Sequence, residues 1–154
     1  MRLAGVALCA IAITAACSPR PESAPPPVAC GDSVSIVTNF YRQALVQRDI
    51  RNGFEQFVSP GFIEHKPDIA TSDREGAITF LEELVADLPE SRWEMLRATG
   101  SGDLVAIHAR FTPAPGAPPY AIADFFRISD CRIVEHWDVV AGPPSNPANS
   151  IDRF

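Results

Sequence analysis

Asp124 is the residue of this sequence with the clearest chemical potential. It lies inside an apolar, strand-like run over residues 120–128, with Ile122 and Phe126 on its own face and Ala123 and Phe125 on the other. Aspartate is depleted in strands and is rarely buried without a partner. A carboxylate in an apolar pocket holds a proton more tightly than in water, which suits a general base or acid. The alternative role is structural, a carboxylate bonded to backbone or to an arginine. His136 is the natural partner, and the turn between the two strands decides whether they meet. A three-residue loop, Ser129-Asp130-Cys131, pairs Ile128 with Arg132 and sets Asp124 opposite His136, within reach of a hydrogen bond. A two-residue loop sets Trp137 there instead. The three-residue register also leaves Arg127 and Glu135 on the opposite face as a structural ion pair.

The other two histidines fit either a pocket or an ordinary surface. His108 shares a strand face with Ala106 and Arg110, and His65 precedes Pro67 in a loop. Three histidines with several carboxylates invite the thought of a metal. The spacing does not support one, because no His-x-His, His-x-x-x-His or Cys-x-x-Cys occurs. No Gly-x-Ser-x-Gly nucleophile and no phosphate-cradling glycine loop is present, and no cofactor is expected.

These residues need elements to position them. Val37, Phe40, Tyr41, Ala44 and Leu45 recur at helical steps, and Phe54, Phe57 and Val58 mark a second short helix stopped by Ser59-Pro60-Gly61. Phe62 to Pro67 reads as an extended piece entering a loop. Ser72-Asp73-Arg74-Glu75 has the form of a capping box, followed by Ala77, Ile78, Leu81, Leu84, Val85 and Leu88 at helical spacing. From residue 92 the period changes to two, with strands expected over 92–99, 104–112, 120–128 and 132–140. Helices first and antiparallel strands after is an α+β order in which helices cover one face of a sheet.

The 154 residues fit one domain. A net charge of −6 without a basic run argues against nucleic acid, which needs clustered Lys and Arg. Residues 1–16 read as a secretion signal: Arg2, an apolar stretch from Leu3 to Thr14, then Ala15-Ala16-Cys17. Small residues before a cysteine resemble a bacterial lipobox, in which Cys17 becomes the lipidated N-terminus; Thr14 departs from the usual Leu of that box, and an ordinary signal peptide is the alternative. Residues 17–30 form a linker with Pro19, Pro21, Pro25, Pro26 and Pro27, a semi-rigid spacer of ~3.1 Å per residue. The expected product is an exported lipoprotein, anchored to a membrane and facing the periplasm or the cell exterior. Cys30 and Cys131 then remain as an even pair in an oxidising space, either bonded or two separate thiols. The folded domain is expected over 31–142, and 143–154 is a tail that is either frayed or draped over it.

Three segments carry a family resemblance. Phe62-Ile63-Glu64-His65-Lys66-Pro67, Gly102 to His108, and the hairpin from Asp124 through Asp138 resemble the SnoaL-like branch of the nuclear transport factor 2-like superfamily, over about residues 33 to 140. The resemblance implies a cone-shaped, curved antiparallel sheet wrapped by helices, a cystatin-like roll with an apolar pocket. It favours the three-residue turn. It implies an acid–base role for Asp124, with His136 orienting or protonating, and Trp137, His65 and His108 shaping a substrate pocket. It also implies a homodimer built through the sheet. Cys131 stands where the family usually has Gly, and a bond to Cys30 would give that change a reason.

The leading reading is a pocket for a small, apolar or carbonyl-containing ligand, with proton transfer beside the carbonyl in the manner of a cyclase or isomerase. The alternatives are a non-catalytic ligand-binding or interaction module, and water activation like that of an epoxide hydrolase. Many functions share such a fold, so fold alone does not choose among them.

Overall fold

The computed structural model describes residues 31–154, so the expected signal segment and linker, with Cys17 and Cys30, lie outside the described residues. The chain runs α1 (Ser33–Tyr41), one π-helical turn (Arg42–Val46), α2 (Ile50–Phe57), β1 (Val58–Glu64), α3 (Arg74–Asp87), β2 (Arg92–Ser101), β3 (Leu104–Thr112), β4 (Tyr120–Ser129) and β5 (Arg132–Ala141). The strands form one curved, unclosed sheet in the order β1-β5-β4-β3-β2. The α+β class is as the sequence indicates, but one strand, β1, precedes the last helix, so helices and sheet are not fully separated along the chain.

The sheet itself is mixed and not wholly antiparallel. Val58–Glu64 is a fifth strand running parallel to β5, with Ile63 beside Glu135 and Glu64 beside His136. Ser59-Pro60-Gly61 falls inside that strand as an irregularity in its pairing and does not end it. An edge strand tolerates proline because one side of its backbone needs no partner.

The helices pack where their apolar stripes predict. Val37, Phe40, Tyr41 and Ala44 from the first helical stretch are buried against Phe54 of α2, Ala77 and Ile78 of α3, and Val105, Ile107, Ala109 and Phe126 of the sheet. Burying each large apolar side chain is worth roughly 1.5–3 kcal/mol. Phe40 meets Phe54 and Phe126 edge to face, with ring centroids 5.0 and 5.9 Å apart. Gly53 lets α2 approach closely, since a Cβ there would come within 2.8 Å of Ala44 Cβ.

Two local expectations change. Helix α3 is capped by Asp73, whose carboxylate accepts from Gly76 N at 2.8 Å, and not by Ser72. Glu75 is drawn away to Arg51 at 2.9 Å instead of closing a capping box. The β4–β5 turn has two residues, Asp130 and Cys131, with φ of 49° and 63°. Both positions are left-handed, the geometry of a type I′ hairpin. The tail is draped: Arg153 donates to the carbonyls of Pro119, Ala141 and Gly142, and Phe154 lies against Arg110.

Candidate functional site

With Ser129 paired to Arg132, an unbroken ladder would bring Trp137 opposite Asp124. A bulge prevents this. Ile128 pairs with Ile133, but Arg127 pairs with Glu135, so Val134 is the extra residue on β5. Burial explains why the bulge is there. Ile133 is fully buried beside Ile128, and strict alternation from it would drive Glu135 and Trp137 inward as well. One extra residue puts Ile133 in, Glu135 out, and His136 and Asp138 back in.

The residue directly opposite Asp124 is therefore Asp138, and His136 lies opposite Phe126. The expected cross-strand pairing of Asp124 with His136 is replaced by a diagonal one, which still lets the side chains meet. His136 Nε2 donates to Asp124 Oδ1 at 3.2 Å. On its other side, β1 brings Glu64 alongside, and His136 Nδ1 lies 2.9 and 3.0 Å from the two oxygens of Glu64. The ring also stacks on Phe126, centroid to centroid 4.8 Å.

The result is an imidazole clamped between two carboxylates. Glu64 is 4% exposed and Asp124 6%. Burial opposes a charge on His136, but the hydrogen bonds to Asp124 and Glu64, and the charges of both, outweigh it and hold the ring's pKa up to about 10. Near neutral pH the ring is an imidazolium with both N–H groups engaged.

A second ion pair follows on the same wall. Lys66 Nζ donates to Asp138 Oδ2 at 2.7 Å and lies 3.4 Å from Asp68. Burial works against the ammonium, while Asp138 more than compensates and holds it above its ordinary value.

These groups form one wall of a cavity of about 320 Å³ between the helices and the concave face of the sheet. The remaining lining is apolar and aromatic, including Phe40, Phe62, Leu81, Trp93, Phe111 and Ile122. Tyr41 reaches the same cavity from α1. Its phenol is fully buried, and burial, then the charge and hydrogen-bonding proximity of Asp124, push its ionisation well above the usual range. The two groups are not at bonding geometry, however: Tyr41 Oη and Asp124 Oδ2 are both buried without a hydrogen-bond partner.

Asp124 and His136 are thus brought together on the cavity wall. His65, His108 and Trp137 are not, contrary to the pocket roles expected for them. Trp137 lies on the outer face of the sheet, opposite Phe125, and stacks on His65 at 4.6 Å with an 8° tilt. His108 is also on the outer face, where Arg97 NH1 lies 2.7 Å from its Nδ1. In each case strand alternation decides the face: Phe62 and Glu64 are buried while Ile63 is exposed, and Val105, Ile107 and Ala109 are buried around His108. Arg127 and Glu135 pair on the outer face at 3.3 Å. Among the described residues, no cluster of three or more His, Cys, Asp or Glu is arranged to hold a metal ion.

Sequence reasoning singles out neither Glu64, Lys66 and Asp138 nor Tyr41 for the site. Alternation from Phe62 carried the signal for Glu64, and alternation from His136 carried it for Asp138. Tyr41 is hidden because a tyrosine on an apolar helical stripe looks like any other core residue.

Residues 37–136 match the SnoaL-like domain family. Among solved structures, the chain is similar to IdmH of Streptomyces antibioticus, described as a candidate polyketide cyclase, at 20% identity over 71% of this chain and 92% of that one, with a TM-score of 0.59. A candidate SnoaL-like polyketide cyclase from Jannaschia sp. CCS1 is 24% identical over 70% and 84%, with a TM-score of 0.58. A candidate isomerase of the SnoaL-like family from Agrobacterium tumefaciens is 15% identical over 71% and 98%, with a TM-score of 0.61. At these identities the likeness is one of fold. No curated protein matches the chain.

Proposed function

As the chain belongs to the SnoaL-like domain family, we propose that its cavity binds a small, largely apolar carbonyl compound and that Asp124 moves a proton at the carbon beside the carbonyl. One observation carries this reading. Asp124 has one oxygen fixed by His136, while the other is buried on the cavity wall with no partner. That second oxygen, buried near the phenol of Tyr41, is the atom proposed to accept a proton from a ligand that displaces this neighbour.

In the first step Asp124 Oδ2 takes the proton, the C–H electrons form a C=C bond, and the carbonyl π electrons move onto oxygen. In the second step the enolate regains the proton at another carbon, giving an isomer, or its carbon attacks a second carbonyl carbon, giving a ring, and the alkoxide formed as that C=O π bond breaks takes the proton from Asp124. Asp124 serves as base and then acid. His136 orients Asp124 and is not itself the proton donor, since both of its ring nitrogens are occupied. Glu64 fixes the ring.

The test is Asp124→Asn, which keeps shape and removes ionisation. Against a panel of carbonyl compounds, with epoxides included for water activation, the variant is expected to keep ligand affinity and lose turnover at least a hundredfold. If wild type turns over neither class and the variant binds ligand equally well, the protein is a carrier and the acid–base reading is wrong.

The sequence supports two further proposals. The chain is exported and lipid-anchored at Cys17, and Cys30 bonds to Cys131, whose turn position at φ 63° suits glycine better. Mass spectrometry of the membrane-fraction protein, digested without reduction, should find diacylglycerol on Cys17 and a Cys30–Cys131 peptide. An unmodified Cys17 or two free thiols would remove the corresponding claim. We also propose a homodimer through the outer sheet face, where Ile63, Leu104, Phe125 and Val139 are exposed at 45%, 41%, 42% and 63%.

A further inference from the structure

A carbonyl compound that loses a proton to Asp124 gathers negative charge on its oxygen, and in an apolar cavity that charge needs a donor. Among the described residues, the cavity wall holds two cations, His136 and Lys66. His136 does not serve, since its N–H groups are committed to Asp124 and Glu64. Lys66 does. An ammonium has three N–H groups, and that of Lys66 meets two acceptors, Asp138 at 2.7 Å and Asp68 at 3.4 Å. Its side chain keeps 15% of its surface accessible, and the ring of Phe80, another lining residue, is centred 6.0 Å from Nζ.

The ladder sets this ammonium beside the base. Asp138 lies directly opposite Asp124 across β4 and β5, and both line the cavity. Such neighbours are ~4.5–5.5 Å apart at Cβ. Lys66, bound to Asp138, therefore stands one carboxylate away from Asp124. The pairing also sets when Lys66 acts. Lys66 and Asp138 cancel as a pair and offer little to a neutral carbonyl, but the attraction of the nearer ammonium grows as charge reaches the oxygen. An interaction of that kind accelerates the step, because it is stronger in the transition state than in the ground state.

We propose that Lys66 stabilises the enolate oxygen, donating its remaining N–H as Asp124 takes the proton, with Asp138 as its positioning residue. The assignment rests on the reading of Asp124 as the base. The C–H bond breaks, its electrons form the C=C bond and the carbonyl π pair moves onto oxygen. The proton stays on Asp124, and Lys66 keeps its own three.

The probe is 4-nitrophenol, whose phenolate stands in for an enolate oxygen and is told from the phenol by its absorbance. The parent is the full chain carrying Asp124→Asn, whose amide is neutral as Asp124 is after taking the proton. Bound probe is expected to be more ionised than free probe at the same pH. Lys66→Met together with Asp138→Asn removes the ion pair without changing the net charge. It should lower phenolate affinity about ten- to a hundredfold, the loss of one charged hydrogen bond. The same two changes should leave 4-nitroanisole, which has no ionisable oxygen, bound as before, and this control reports an intact cavity. Lys66→Arg should retain most of the phenolate affinity. Phenolate held equally with and without the ion pair, a bound probe no more ionised than the free one, or no binding of either probe overturns the proposal. If Asp124→Asn alone abolishes turnover while the Lys66 variants hold phenolate unchanged, the acid–base reading stands and this one falls. If no carbonyl compound is turned over but phenolate affinity follows Lys66, the acid–base reading falls and the oxygen seat at Lys66 stands.

Discussion

The β4–β5 hairpin presents opposite physics on its two faces. Inward, Asp124 is buried and His136 and Asp138 are half-buried, each tied to an ionisable partner of opposite sign in the wall of the cavity. Outward, Arg127 and Glu135 form an ion pair near water, with Arg127 also 2.6 Å from Asp103, and Phe125 and Val139 are exposed apolar groups. A soluble domain built for stability alone would reverse this, with apolar groups inside and charges outside. Buried pairs lose hydration that their mutual attraction only partly restores, whereas surface pairs cost little and contribute little. On the function proposed above, the inner face keeps charge for chemistry and the outer face keeps apolar groups for contact.

The largest expected effect comes from breaking the inner clamp. Glu64→Leu leaves the buried imidazolium with Asp124 alone and should cost about 3–5 kcal/mol in urea unfolding. Glu135→Leu on the outer face should barely move the midpoint. Equal losses at the two sites would erase the contrast between the faces.

The pH dependence is the next largest. His136 has a folded-state pKa of about 10 against an ordinary 6.5. The folded state therefore binds the proton more tightly than the unfolded one. The stabilisation is fully present below about pH 6.5 and is lost as pH rises toward 10. Unfolding measured from pH 6 to 10.5 should show a steady decline, and NMR of the His136 ring should show it protonated at pH 8. A ring that titrates near 6.5 would mean that the clamp is not formed.

The smallest effect on folding is expected at the outer apolar patch. Phe125→Lys with Val139→Lys should leave the melting temperature and ligand affinity nearly unchanged while converting a dimer to a monomer in analytical ultracentrifugation. A wild-type chain that sediments as a monomer would break the contact reading of that face.

Much of this contrast could be read from the sequence. Period-two alternation located β2 to β5 to within a few residues, because a half-buried strand must alternate. The helical stripe of Val37, Phe40, Tyr41 and Ala44 reported which side faces the sheet. Asp124 stood out because a charge on an apolar strand face has to be accommodated. The placement of His65, His108 and Trp137 was harder, since a histidine or tryptophan is compatible with either face and only its strand phase distinguishes them.

The sequence by itself determined the α+β class, the apolar surfaces of the helices and of β2 to β5, and the presence of a carboxylate among them. These follow from local periodicity and composition. The tertiary structure alone decided which residues meet that carboxylate. A two-residue turn pointed to Trp137, and the bulge at Val134 exchanged it for His136, because the burial of Ile133 outweighed a regular ladder. The parallel pairing of β1 with β5 then brought Glu64 to the far side of the ring across 72 residues of chain. Neither the bulge nor that pairing has a local signature, since each is chosen by the total burial of the finished core.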